Sequence, residues 1–278
     1  MPKEPEQPST RSIWLWEDEE YEAKGEDGFR PWLDPYPLST ARALGAVLVC
    51  PGGGYRTRAP HECAPIAERF NRAGFHAFVV HYGVAPRFHP APIRDASRAL
   101  RMIRHNARRW NVSPRHVAVC GFSAGGHLAA CLGVHYDKEW LRGDRPVDQA
   151  SNRPDALVLS YAVLTTGEFG PPAHWPNLLG PDPSEEAMRT VSLERHVTDK
   201  TPPAFLWHTV EDAMVPVENS MIFAQALRRH GVPFELHIYP RGRHGLALAP
   251  QDEHVASWAP LCCQWLQGMD WPKEESSE

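Results

Sequence analysis

The sequence predicts an α/β fold in which helices cover both faces of a mostly parallel sheet. First, short apolar runs alternate with segments of helical periodicity, as in repeated βα units. Second, the runs are apolar almost throughout, which is typical of central strands covered on both faces. Third, 278 residues with 42% hydrophobic and 23% charged content are compatible with one large globular domain.

The strands are predicted from β-branched and aromatic runs. A short edge strand is expected around Ile13, Trp14 and Leu15, and the proline-rich and acidic stretch 17–45 is expected to be irregular. Six stronger strands follow, at 46–50, 75–82, 116–120, 155–161, 203–209 and 234–239.

The helices are predicted from apolar residues spaced three and four apart, as in Ile93, Ala96, Leu100 and Ile103. This pattern predicts helices at 61–73, 92–110, 124–135, 217–230 and 253–267. The alternation therefore extends over most of the chain.

We expect one domain over residues 1–278, with flexible tails at about 1–12 and 269–278. Residues from about 162 to 201 interrupt the alternation and are too rich in proline for one regular element. They are predicted to form a lid-like insertion over the carboxyl ends of the strands, with a short helix near 184–189.

Charge and composition exclude several classes of partner. A net charge of -5 without a large cluster of Lys and Arg argues against nucleic acid, and the basic stretch 104–110 is interpreted as a solvated helix face. No apolar run approaches the ~18 residues that a membrane helix requires. The first residues do not resemble a secretory signal, which predicts a cytoplasmic protein unless a signal has been removed.

The six cysteines have no CxxC pair and no metal-like spacing. Cys50 and Cys120 lie inside apolar strand candidates. We therefore expect buried free thiols rather than disulfides.

The most informative motif is GFSAG at residues 121–125, where a strand passes into a helix. This is the pattern of a nucleophile elbow, in which a sharp, strained turn exposes Ser123 at the edge of the sheet. Glycines at 121 and 125 let neighbouring backbone pass without Cβ clashes. The N–H group of Ala124, at the helix N-terminus, is a candidate donor to an oxyanion.

An acid and a histidine follow the serine in the chain order that this motif requires. Asp212 comes just after the strand at 203–209, with Glu211 as its nearest competitor. His244 lies in a loop between Gly242 and Gly245, and the sequence favours it as the base that accepts the serine proton. Such chemistry needs no metal and no organic cofactor.

The glycines of CPGGGY, residues 50–55, follow the first strong strand. Gly53 and Gly54 are predicted to direct main-chain N–H groups at the oxyanion together with Ala124. A plain flexible turn is the alternative. A phosphate-binding loop is disfavoured because no G-K-[ST] follows.

Together these motifs resemble α/β-hydrolases of the esterase group that includes carbohydrate acetyl esterases, acetylxylan or feruloyl esterases and xylanase-associated lipase-like proteins. The resemblance covers roughly residues 45–267, through PGGGY, GFSAGGHLAA, the segment with Asp212 and the segment with His244. It implies an α/β-hydrolase fold. The chain departs from the pattern at Tyr82–Pro86, where an arginine is missing, and at Tyr161–Val163.

The resemblance implies a serine esterase that hydrolyses short acyl esters, above all acetyl groups on small or oligosaccharide substrates. A feruloyl esterase, a small amidase such as a formamidase, and a catalytically silent binding protein are the alternatives. Tyr55, Tyr161 and Trp175 are candidate substrate-binding aromatics near the expected pocket mouth, and core or lid packing is the alternative reading of each.

Overall fold

A computed structural model of the chain describes residues 7–17, 21 and 27–272. Eight strands form one sheet in the spatial order β1-β2-β4-β3-β5-β6-β7-β8. Their bounds are β1 Ile13–Trp14, β2 Trp32–Tyr36, β3 Leu44–Cys50, β4 His76–His81, β5 Val112–Phe122, β6 Ala156–Ser160, β7 Ala204–Thr209 and β8 Phe234–Tyr239. The pairs β1·β2 and β2·β4 are antiparallel and all other pairs are parallel.

Helices connect the parallel strands. In the described part of the chain they are α1 Ala64–Asn71, α2 Ala91–His105, α3 Ala107–Trp110, α4 Ala124–Val134, α5 Trp175–Leu179, α6 Glu185–Thr190, α7 Glu218–Arg229, α8 Glu253–Ala256 and α9 Trp258–Gly268. Short 3₁₀ turns occur as well, among them Pro60–Glu62 and Pro172–His174. This architecture confirms the predicted α/β class.

Apolar layers lie on both faces of the sheet, as the continuous strand hydrophobicity predicted. On one face α2, α4 and α7 contribute side chains such as Ile93, Leu128 and Phe223. On the other face α1 and α9 contribute Phe70 and Trp258. All six cysteines are buried and free, as expected. No helix in the described ranges is both long and apolar enough to cross a membrane.

The sequence reading missed β2, which lies within the stretch expected to be irregular. Pro35 and Asp34 are poor strand formers, but antiparallel pairing with β4 stabilises the segment. The Trp32 ring stacks on His81 with 4.3 Å between centroids, and His81 Nε2 lies 2.9 Å from an oxygen of Asp34. Tertiary contacts therefore override the local preference. Of the predicted tails, residues 1–6 and 273–278 lie outside the described residues.

The insertion between β6 and β7 is attached to the body of the fold by two histidines of the α4 region. They bind backbone carbonyls at the carboxyl end of α6. His127 Nε2 lies 3.0 Å from Val191 O, and His135 Nε2 lies 2.9 Å from Thr190 O. His127 and His135 both belong to the α4 region and are fully buried. Because each Nε2 faces a carbonyl acceptor, it must carry the hydrogen and donate it. The carbonyls that α6 leaves unpaired are thus satisfied by imidazole groups.

Because these two histidines are buried and neutral, we predict that the fold loses stability in mild acid. Burial lowers the pKa of His127 to about 3 and that of His135 to about 4, whereas the unfolded chain titrates near 6.5. Between these values the unfolded state binds more protons, so stability falls as the pH falls through the window from about 6.5 to about 4. We expect each histidine to contribute up to about 1.4 kcal/mol per pH unit, measured by urea denaturation at pH 7.5, 6.0 and 5.0.

His135→Gln is the matched variant, because it keeps an N–H donor and cannot be protonated. We expect a shallower dependence of the unfolding free energy on pH than in the wild type. An unchanged pH dependence in this variant would contradict the assignment to His135.

Candidate active site

The turn between β5 and α4 holds Ser123 in a strained conformation. Its φ of 53° and ψ of -119° lie outside the regions that residues with a Cβ favour. The turn is possible because two glycines allow close backbone packing. A Cβ at Gly121 would lie 2.1 Å from Gly125 O, and one at Gly125 would lie 2.1 Å from Cys50 O. The predicted elbow geometry is present.

The structure brings Ser123, Asp212 and His244 together from three separate loops. His244 Nε2 lies 2.8 Å from Ser123 Oγ, and His244 Nδ1 lies 2.6 Å from Asp212 Oδ2. Since an ionised carboxylate only accepts, the neutral imidazole carries its hydrogen on Nδ1 and offers Nε2 to the serine hydroxyl. The arrangement can remove the serine proton during nucleophilic attack.

Asp212 is held as an anion by several donors. Burial alone would raise its pKa, but hydrogen bonds from His208, His244 and the Val215 N–H outweigh that effect and hold the pKa of Asp212 well below its usual range. Its Oδ1 accepts from the N–H groups of Met214 and Val215, each at 2.9 Å. The competitor Glu211 is exposed and accepts only from the Gly242 N–H among the contacts of the described residues, at 3.1 Å.

His208 is a further part of this site, and the sequence contained no signal for it beyond its place in the strand predicted at 203–209. Its Nε2 lies 3.3 Å from Asp212 Oδ2 and 2.9 Å from Val215 O, and its Nδ1 lies 2.8 Å from Ser220 Oγ. Both groups facing Nε2 are acceptors, so Nε2 carries the hydrogen. His208 therefore orients the loop that carries Asp212.

The glycine loop after β3 borders the same cleft. Gly53 and Gly54 adopt φ values of 128° and 63°, and their N–H groups have no acceptor in the part of the chain that the structure describes. The N–H of Gly52, in contrast, donates to Glu62 Oε2 at 2.7 Å. Ala124 is the first residue of α4, so its N–H has no partner within that helix.

The cleft above Ser123 has a volume of about 320 Å³. The insertion contributes one wall through Ala173, His174 and Asn177, and the His174 ring lies about 3.9 Å from where a Cβ on Gly54 would be. Burial lowers the pKa of His174 to about 4, so this imidazole is neutral at pH 7. The sequence contained no periodic or motif signal for His174.

The three aromatic residues predicted to bind substrate do not line this cleft, and that prediction is wrong. Tyr55, Tyr161 and Trp175 are only 1%, 2% and 3% exposed. Tyr55 Oη lies 2.8 Å from His127 Nδ1, and Trp175 packs edge-on against the same imidazole. The hydroxyl groups of Tyr55 and Tyr161 have hydrogen-bond partners inside the protein, so these two rings are buried with them.

Glu62 is a further residue that the sequence reading missed. It follows the glycine loop in the 3₁₀ turn Pro60–Glu62, is 1% exposed and borders the cleft. No motif singled it out, because its partners lie 10 and 99 residues away in the chain.

Fold and site together define the chain as an α/β-hydrolase, and the structural neighbours share that fold. The chain matches the BD-FAE family model over residues 36–227 and belongs to this family.

Relatives of the chain are named as xylan-related enzymes and esterases. It is 40% identical over 250 residues to Endo-1,4-beta-xylanase B of Butyrivibrio fibrisolvens, a match that covers 88% of this chain and 39% of that protein. It is 28% identical over 245 residues to an acetylxylan esterase of Xylanibacter ruminicola, covering 83% of this chain and 47% of that protein. The chain thus spans less than half the length of these two relatives.

A solved structure is similar over nearly its whole length. This is the acetyl ester-xyloside bifunctional hydrolase of Caldicellulosiruptor lactoaceticus, with 44% identity and a TM-score of 0.90. The match covers 93% of this chain and 96% of that one.

The packing of the elbow predicts that Gly125→Ala is strongly destabilising. The new methyl group would overlap the carbonyl oxygens of Cys50 and Pro51, which are backbone atoms and cannot rotate away. We expect a loss of about 2–3 kcal/mol in unfolding free energy, measured by urea denaturation.

Gly268→Ala is the matched control. It is also a helical glycine, at the end of α9, and a Cβ there would meet nothing within 4 Å. We expect it to be neutral or to stabilise by up to about 1 kcal/mol. Equal effects of the two variants would contradict the close packing at the elbow.

Proposed function

We propose that the protein is a serine esterase that removes short acyl groups, most of all acetyl groups from carbohydrates. The observation that carries the proposal is the continuous hydrogen-bonded array from Asp212 through His244 to Ser123, with distances of 2.6 and 2.8 Å. An imidazole oriented by an anionic carboxylate and hydrogen-bonded to a serine hydroxyl is the arrangement that activates a serine as a nucleophile.

In the first half of the reaction, Ser123 Oγ attacks the acyl carbonyl carbon while its proton passes to His244 Nε2. The carbonyl oxygen becomes an oxyanion that accepts hydrogen bonds from the N–H groups of Gly53, Gly54 and Ala124. Asp212 stabilises the imidazolium. When the tetrahedral intermediate collapses, the bond to the leaving alcohol breaks and His244 Nε2 donates its proton to that oxygen.

In the second half, water attacks the acyl carbon of the acyl-enzyme and gives a proton to His244 Nε2. The bond to Ser123 Oγ breaks, the proton returns to that oxygen, and the carboxylic acid leaves. Each proton that His244 accepts is donated again within the same half-reaction, so the cycle needs no metal or redox partner.

The size of the cleft supports a short acyl group. A volume of about 320 Å³ lies at the lower end of the ~300–1,000 Å³ typical of ligand pockets. Ala173, His174 and Asn177 close it on the side of the insertion. The names of the acetylxylan esterase and of the acetyl ester-xyloside hydrolase support acetylated carbohydrates as the substrate class.

The assigned roles predict that Ser123→Ala abolishes ester turnover and that Asp212→Asn lowers kcat severely. The alanine variant lacks the nucleophile, and the asparagine variant favours the wrong tautomer of His244. We expect kcat to fall by about 10⁴-fold or more for each, measured with 4-nitrophenyl acetate.

Glu211→Gln is the control for the acid, because Glu211 is the neighbouring carboxylate and does not contact His244. We expect its kcat to stay within about threefold of the wild type. Near-normal turnover in folded Ser123→Ala would overturn the serine esterase, and a greater loss in Glu211→Gln than in Asp212→Asn would move the acid role.

The small cleft also predicts a preference for acetyl esters. We expect kcat/KM to decrease steadily from acetyl to decanoyl in a series of 4-nitrophenyl esters, because the cleft of about 320 Å³ is open to solvent and leaves the methylenes of longer acyl chains partly in contact with water. The same assay with acetylated xylo-oligosaccharides, methyl ferulate and N-formylated amines compares the alternatives directly.

A second cavity of about 630 Å³ shares His61 and Gly245 with the cleft as wall residues, and leucines 246 and 248 line it. His61 Nε2 lies 3.1 Å from Gly245 O at the boundary. We expect His61→Ala to raise the octanoyl-to-acetyl ratio of kcat/KM.

In the ester series with the wild type, a maximum at eight or more carbons would contradict the short-acyl assignment. Higher activity on ferulate or formamides than on acetyl esters would replace the acetyl ester as the proposed substrate.

A further inference from the structure

Glu62 forms a link between the two loops that meet over Ser123. Its Oε2 accepts from the Gly52 N–H at 2.7 Å, and its Oε1 accepts from the Tyr161 hydroxyl at 2.6 Å. Tyr161 Oη accepts in turn from the Ala247 N–H at 2.9 Å. One carboxylate therefore joins the glycine loop after β3 to the loop that carries His244.

Each end of this link lies directly beside a group that the proposed mechanism uses. Gly52 precedes the two predicted oxyanion donors and packs so closely that a Cβ on it would lie 3.0 Å from Ser123 Cβ. Tyr161 packs edge-on against the imidazole of His244, with 5.0 Å between ring centroids. A shift at either end would move the donors or the base relative to Ser123.

The link is costly to maintain, which argues against an incidental contact. Desolvating a carboxylate costs several kcal/mol, and burial raises the pKa of Glu62 despite its two hydrogen bonds. Tyr161 adopts a φ of 37°, a strained value for a residue with a Cβ. The strained backbone of Tyr161 and the buried carboxylate of Glu62 thus both lie where the two loops approach each other.

We propose that Glu62 is a positioning residue. Through Gly52 and Tyr161 it fixes the position of the glycine loop after β3 relative to the loop that carries His244. The inference rests on the proposed serine esterase function. Glu62 touches neither the serine nor the acyl group in this role. It acts on the geometry of the transition state, in which the oxyanion donors must lie within hydrogen-bond distance.

The test compares Glu62→Gln, Tyr161→Phe and the double variant with the wild type on 4-nitrophenyl acetate. The two donors face different oxygens of Glu62, so glutamine places its NH₂ group against one of them, and phenylalanine keeps the ring while removing the hydroxyl. We expect each single variant to lower kcat by about 10- to 100-fold with KM changed less than twofold. The double variant should lose little more than either single one, because all three break the same link.

Two measurements separate positioning from a merely structural role. Titration of Ser123 with a fluorophosphonate counts competent sites, so that kcat is expressed per site. A boronic acid, which forms a tetrahedral adduct with the serine, should bind more weakly in proportion to the loss in kcat/KM. Full activity per titrated site in folded Glu62→Gln or Tyr161→Phe would overturn the proposal, as would boronate affinity equal to that of the wild type.

Asp155→Asn is the matched control. Asp155 accepts a backbone N–H, that of Val117 at 2.9 Å, and a side-chain donor, Arg104 at 2.7 Å, at the opposite end of the strands. We expect it to change stability and leave kcat per site within twofold. A loss of kcat equal to that of Glu62→Gln would overturn the positioning role.

If Glu62→Gln does not fold, Tyr161→Phe decides alone. If the wild type shows no turnover that Ser123→Ala abolishes, the esterase function itself is refuted. If the wild type is active and the Glu62 and Tyr161 variants are unaffected, only this inference is refuted.

Discussion

The close contact between the first turn of α4 and the end of β3 is the constraint on which the rest of the site depends. Gly125 lets the helix approach the carbonyl of Cys50, and the approach keeps Ser123 at a φ of 53°. The strain costs of order 1–3 kcal/mol. Parallel strands end at one edge of the sheet, so the loops after β3, β5, β7 and β8 all meet at this point.

Two buried carboxylates in the site are perturbed in opposite directions. Asp212 receives hydrogen bonds from two imidazoles and two backbone N–H groups, which hold its pKa well below the usual range. Glu62 receives only two hydrogen bonds, and its desolvation dominates, so its pKa is raised. The first environment suits a group that stays ionised beside an imidazolium, and the second suits a link between loops.

The insertion between β6 and β7 contributes both to the stability of the fold and to the shape of the cleft. The imidazoles of His127 and His135 bind carbonyls at the end of α6, while Ala173, His174 and Asn177 form one wall above Ser123. His127 also lies 2.8 Å from the Tyr55 hydroxyl, next to the glycine loop. The buried histidines therefore connect the insertion, α4 and the glycine loop in one hydrogen-bonded unit.

Local patterns in the sequence were sufficient for the α/β class and for all strands of the sheet except β2, although β5 is longer than predicted. They were also sufficient for the elbow at Ser123 and for the order in which Asp212 and His244 follow it. These features depend on side-chain periodicity and on the backbone freedom of glycine, which neighbouring residues determine. Strand β2, the burial of Tyr55, Tyr161 and Trp175, and the contacts of Glu62 and His208 became visible only in the folded chain. Glu62 and Tyr161 are 99 residues apart, and whether an aromatic ring faces a cleft or a core depends on hydrogen-bond partners that such distant segments bring to it.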